Sequence, residues 1–269
     1  MTTNVTPSMP IRVISLPRAA ERQARIGAAL AELGLTYEIF SGVDARLLTD
    51  GDWKREYDHA RRLVIKGYPV RPLCAPELGC ALAHRSLYDA VVAGGWPGVL
   101  ALEDDASPGP SLPRILARLA VRFPADQPVV VLLTHLKRYF PAGEPLDDGC
   151  DLVRVARAVY TYAYFLTRAA AGVLRSVQKP VSLYADDWEE FRRFVPVYGL
   201  NPYAVSSATA EASHIDDARN QAVERWRRGR WRRRLRPLVL YARAWHAARR
   251  WKEETRGAAR VQPEEAFKP

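Results

Sequence analysis

A chain of 269 residues, 48% hydrophobic and 26% charged, is long enough to bury a full core and has the balance of a soluble globular protein. No apolar stretch approaches the ~18 residues of a spanning helix, and the three cysteines (Cys74, Cys80, Cys150) lack metal-ligand spacing and are an odd number for a disulfide framework. The net charge of +10 is confined to one region, because residues 219–256 hold 14 Arg or Lys against 3 Asp or Glu and the rest sums to −1.

Residues 1–10 are polar, with neither a basic start nor an apolar core. They read as a flexible leader rather than a secretory signal, and a cytoplasmic location is expected. Ile11 to Leu16 reads as a strand stopped by Pro17. Arg18 to Leu33 reads as an amphipathic helix, with Ile26, Ala29, Leu30 and Leu33 at spacings of three and four and Gly34 as its C-terminal cap. A second strand is expected over Thr36 to Phe40, completing a βαβ opening of the α/β class. Residues 46–75 have weak periodicity and suggest one helix followed by an irregular loop. From Pro76 a stronger helix begins, with Cys80, Ala83, His84, Leu87 and Val91 on one face and Gly94-Gly95 at its end.

Gly98 to Ala106 reads Gly-Val-Leu-Ala-Leu-Glu-Asp-Asp-Ala, a buried central strand ending in Glu103, Asp104 and Asp105. Three adjacent carboxylates repel one another, and a hard divalent cation would relieve that repulsion. Ligands also gather at the carboxyl ends of strands in open α/β sheets. The triplet therefore reads either as a metal–diphosphate site or as a solvated acidic turn. Further along, a helix is expected over Ser111 to Phe123, a strand over Val129 to Leu133, and a loop over 135–151. Two short β-like stretches follow between Leu152 and Leu166, then a helix over Arg168 to Gln178, and one or two strands within Val195 to Ser207.

The ordered set of motifs resembles glycosyltransferase family 25, bacterial lipooligosaccharide galactosyltransferases with relatives acting on collagen. Val13-Ile-Ser-Leu-Pro-Arg18, with Arg22 four residues on, resembles the family's opening motif. Glu77-Leu-Gly-Cys-Ala-Leu-Ala-His84 is similar to its E-x-G-C-x-L-S-H, and Leu102-Glu-Asp-Asp105 to its L-E-D-D. Tyr162-Ala-Tyr-Phe-Leu-Thr-Arg168, Asp186-Asp187-Trp188 and Ser213-His-Ile215 are similar to later elements. The resemblance covers roughly residues 11–217, with Pro17, Ala83 and Ala163 as departures.

The resemblance implies a GT-A-like (Rossmann-related) nucleotide-sugar-binding domain. It also implies inverting transfer of a hexose, galactose first, from a UDP-sugar to a lipopolysaccharide-type glycan or glycolipid. Glu103 and Asp105 would hold manganese or magnesium, with Asp104 beside the diphosphate, so that the leaving charge is neutralised. Asp186 or Asp187 would take the acceptor's proton; the plainer reading is an N-cap for a helix at Trp188 to Phe194. His84 would lie in the substrate site; by itself it reads as a core histidine. Arg18 and Arg22 suit diphosphate oxygens, or else a solvated first helical turn, with the latter favoured for Arg22. Asp44 is placed by position alone to meet the uridine.

Residues 218–269 are expected to form a basic helical extension. Tyr241, Ala242, Trp245 and Ala248 make an apolar stripe flanked by arginines, the pattern of a helix lying on an anionic membrane. On that reading, trimming after Asp217 would free the protein from vesicles and leave activity on soluble acceptors intact. Nucleic acid is the less favoured partner. Rival functions are a metal-dependent phosphohydrolase of nucleotide sugars and a non-catalytic Arg-rich nucleic-acid-binding protein.

Overall fold

The computed structural model describes residues 9–207, 214–231, 249 and 259–260. Strand β1 (Ile11–Ser15) leads through helix α1 (Ala20–Glu32) to β2 (Glu38–Ser41). Helix α1 buries Ile26 and Leu30 and stops where Gly34 takes φ +66°, a left-handed conformation that costs glycine little. Residues 45–66 correct the single expected helix: a 3-10 turn (Ala45–Leu47) precedes two short helices, α2 (Asp50–Glu56) and α3 (His59–Lys66). Between them Tyr57 is extended and bridges Val181, while Thr49 and Asp58 each cap a fresh start.

Helix α4 (Ala75–Ala93) carries Pro76 in its first turn, and Cys74 N–H donates to the Glu77 carboxylate at 2.9 Å. Then come β3 (Gly98–Glu103), β4 (Ala106–Pro108), α5 (Leu112–Arg122), β5 (Val130–Leu132), β6 (Arg138–Asp147) and β7 (Cys150–Arg157). The chain continues as β8 (Ala163–Thr167), α6 (Arg168–Val177), α7 (Trp188–Phe191), β9 (Val197–Asn201), β10 (Val205–Ser207), α8 (His214–Trp231) and β11 (Ala259–Arg260). The expected loop over 135–151 is thus mostly strand. β6 pairs antiparallel with β7 through a turn at Gly149 (φ +77°), and its prolines are accommodated by register shifts after Phe140 and Pro145.

Among the described residues, one sheet has the order β11-β6-β7-β9-β5-β8-β3-β1-β2, and β10 pairs separately with β4. β1 is parallel to β2 and β3, and β5 is parallel to β9. Between these parallel sets lies β8, antiparallel to both β3 and β5. The fold is α/β with a mixed sheet.

Alternation along the strands builds a core on each face. Val99, Ala101, Tyr164 and Leu166 join Leu87 and Val91 of α4 and Leu174 of α6. Leu100, Leu102 and Phe165 join Ile26 and Leu30 of α1 and Leu116 and Leu119 of α5. Coverage on both faces explains why β3 is an unbroken apolar run. Gly79 lets α4 lie close against the loop after β2, where a Cβ would run into the Val43 carbonyl oxygen.

No helix among the described residues is long and apolar enough to cross a membrane. Helix α8 runs through the expected boundary at 217/218. The leader's residues 1–8, Ser213 and the apolar stripe of 238–248 lie outside the described residues.

Candidate active site

The register of the parallel strands sets Ser15 opposite Ser41 and Ile14 opposite Glu103, so β1, β2 and β3 end together. The acidic triplet is divided by its partners. Asp104 is buried: Ser15 Oγ donates to it at 2.6 Å, and Arg22 Nη2 meets its other oxygen at 2.6 Å. Burial raises the Asp104 carboxyl, and Ser15 and Arg22 oppose that shift. Asp104 therefore ties the strand end to β1 and α1, and Arg22 is held in a partly exposed ion pair with it.

Asp105 is pushed up to about 6, first by burial and then by the charge of Glu103, and its Oδ1 is buried without a hydrogen-bond partner. Glu103 is partly open and accepts from or shares a proton with His84 Nε2 at 3.1 Å. The other ring nitrogen, Nδ1, meets Tyr164 Oη at 2.6 Å, so β8 sets the orientation of the imidazole. His84 is almost fully buried and meets Glu103 from within the core. Cys80, one turn before His84, brings its sulfur to the same place: ligand atoms of Cys80, His84 and Glu103 lie within 4.8 Å of one another. Burial, then the charges of Glu103, Asp186 and Asp105, push the Cys80 thiol well up. The (i, i+4) spacing of Cys80 and His84 was a visible signal for that pairing.

Asp186 and Asp187 separate in the same way. Asp187 is held by Lys66 Nζ at 2.6 Å and by Arg62 Nη1 at 3.3 Å, and it accepts from Tyr184 N–H at 2.8 Å. It precedes α7 without a side-chain cap bond. It thereby neutralises two buried cations. Asp186 is half-buried, and burial, followed by the charges of Asp187 and Glu103, pushes it up to about 7. It lines a cavity of about 640 Å³ together with Arg71, Tyr160, Tyr184 and Trp226.

Arg18 and Asp44 lie at the same edge of the sheet but bind each other, at 2.5 Å, and Asp44 also takes Arg46 at 2.6 Å. Arg46 first, then Arg18, hold the Asp44 carboxyl well below its usual range. One contact had no local sequence signal. Arg219 of α8 donates to Glu77 at 3.1 Å across 142 residues, and Glu77 also receives Arg71. Since Arg219, Val223 and Trp226 line the cavity, trimming after Asp217 would remove part of its wall.

Fold and site define an open-sheet α/β protein with a carboxylate-rich site at the ends of its parallel strands. The chain belongs to glycosyltransferase family 25. The profile of that family, described as an LPS biosynthesis protein family, matches residues 9–140. Lacto-N-neotetraose biosynthesis glycosyltransferase LgtB of Neisseria gonorrhoeae is 30% identical over 213 residues, covering 72% of each chain. LgtE of the same organism is 26% identical over 219 residues, or 74% of this chain and 72% of that one. The probable inactive glycosyltransferase 25 family member 3 of Rattus norvegicus is 31% identical over 173 residues, or 62% of this chain. The present chain spans only 29% of that animal relative.

Proposed function

We propose that the protein is an inverting hexosyltransferase of GT-A type, moving galactose from UDP-galactose to a lipopolysaccharide or lipooligosaccharide glycan. The observation that carries this reading is the convergence of Glu103, Asp105 and Asp186, carboxylates from two distant stretches, in which the charge of Glu103 raises both the Asp105 and the Asp186 carboxyl. The similarity to LgtB and LgtE, named for lacto-N-neotetraose biosynthesis, supports the acceptor class.

Manganese or magnesium fits Glu103 and Asp105, because both offer hard oxygen donors and Asp105 Oδ1 is buried without a partner. Such a cation, when bound, neutralises charge growing on a departing diphosphate. Asp104 fixes the turn between the two donors through Ser15 and Arg22. His84, oriented by Tyr164, holds the Glu103 carboxylate. Asp186, ionised, takes the proton from the attacking hydroxyl of the acceptor, and its half-buried setting tunes it to work near neutral pH.

Calorimetric titration of UDP, with and without manganese, tests the donor site. Binding is expected to require the metal. In Asp105→Ala the loss should exceed the roughly 10–100-fold that changes around a ligand produce. Folded wild type that ignores UDP with manganese and with magnesium would defeat the reading.

The Arg- and Trp-rich composition of 225–256 supports a peripheral location on the anionic inner face of the cell membrane. Co-sedimentation with phosphatidylglycerol vesicles should be strong at low salt and lost when Arg243, Arg249 and Arg250 become glutamine. Equal sedimentation with neutral phosphatidylcholine vesicles would refute it.

A further inference from the structure

We propose that the cavity beside Asp186 is a subsite for a neutral hexose unit of the acceptor, with Trp226 of helix α8 as one wall. The inference rests on Asp186 being the acceptor's base. At about 640 Å³ the space is within the range of small-molecule sites, roughly 300–1,000 Å³. Tyr160, Tyr184 and Trp226 supply aromatic surface from three separate stretches, suited to the apolar faces of a sugar ring.

The charges of the lining decide against a phosphate. Five Arg or Lys side chains face four Asp or Glu side chains, so the excess is small. The cations are also engaged by carboxylates: Arg62 and Lys66 by Asp187, Arg71 and Arg219 by Glu77, Arg157 by Glu189. At Arg62, Lys66 and Arg71, which are buried, an anion would have to displace the paired carboxylate, whereas a sugar hydroxyl can donate to or accept from such pairs without displacing them. Asp186 belongs to this lining and also feels the charge of Glu103, so a hydroxyl of a seated sugar would lie between base and donor site.

Helix α8 thereby becomes part of the substrate site. Arg219, Val223 and Trp226 recur at spacings of four and three, which places them along one side of the helix. The bond from Arg219 to Glu77, itself braced by Arg71, fastens that side to the start of α4.

The test uses the full chain labelled with 5-fluorotryptophan, giving seven resonances, with that of Trp226 identified by Trp226→Phe. Methyl β-galactoside, methyl β-glucoside, lactose and N-acetyllactosamine are titrated to levels that saturate a millimolar site, with inorganic phosphate as a separate titrant. At least one sugar should move the Trp226 resonance saturably, and Tyr160→Ala should weaken that response about tenfold. The response should persist in Asp105→Ala. No sugar response, or saturation by phosphate instead, would overturn the subsite. UDP binding in the same sample separates the two ideas: if UDP fails to bind while sugar still shifts Trp226, the donor reading falls and the sugar site stands.

Discussion

Asp186→Asn is expected to slow sugar transfer by about 10²–10⁴-fold, the usual worth of a general base, while leaving metal-dependent UDP binding unchanged. The amide keeps the shape of the side chain but cannot take a proton. Burial, then Asp187 and Glu103, raise the Asp186 carboxyl to about 7, so wild-type transfer should rise with pH through about 7 and level off above it. The variant's residual rate should lack that rise. Stability should move the opposite way. A carboxyl whose folded pKa lies above its unfolded value of 3.8 favours the fold only while protonated. That contribution is complete below about pH 4 and is lost as pH rises through about 7. Asp186→Asn should therefore unfold at a higher temperature than wild type at pH 8, with a smaller gap at pH 5. A rate profile unchanged by the substitution would remove Asp186 from the mechanism.

Asp187→Ala should cost stability instead, about 3–5 kcal/mol, because it leaves buried cations short of their partner. Lys66 is 8% exposed and Arg62 1% exposed, so water cannot take over Asp187's role. Lys66 keeps only the more distant Glu190, at 3.6 Å. At about 2–4 °C per kcal/mol, the unfolding midpoint should fall by roughly 10 °C. Thermal denaturation followed by circular dichroism reads this directly. A midpoint within a degree or two of wild type would show that Asp187 is not structural.

This contrast marks where sequence reasoning stopped. β1, α1, α4 and β3 were legible because their signals are local: periodicity, Pro76 at a start, Gly34 at an end, and a run of apolar residues closed by three acids. β6 was hidden because Pro141, Gly143 and Pro145 look like loop, and only its partner β7 makes it a strand. The direction of β8 was equally hidden, since five buried residues read the same either way. For the site, the acidic triplet was legible as a group but its division was not. The groups that occupy Asp104 and Asp187 are Ser15, 89 residues away, and Lys66, 121 residues away. Trp226 looked like one more tryptophan of a basic tail, because nothing near it in sequence mentions Asp186.

The reversed strand β8 also governs how the chain emerges during synthesis. It fills the gap between β3 and β5, yet it begins 60 residues after β3 ends. At about 5–20 residues per second, the edge of β3 waits roughly 3–12 s for its neighbour. That edge carries Val99 to Leu102, an uncharged apolar row able to template pairing with another chain. β5 meanwhile lacks both of its neighbours, β8 and β9. A fragment limited to residues 9–140, the part that carries the family profile, would stay in this open state permanently. The strands that close the sheet of residues 9–140, β8 and β9, lie beyond that segment.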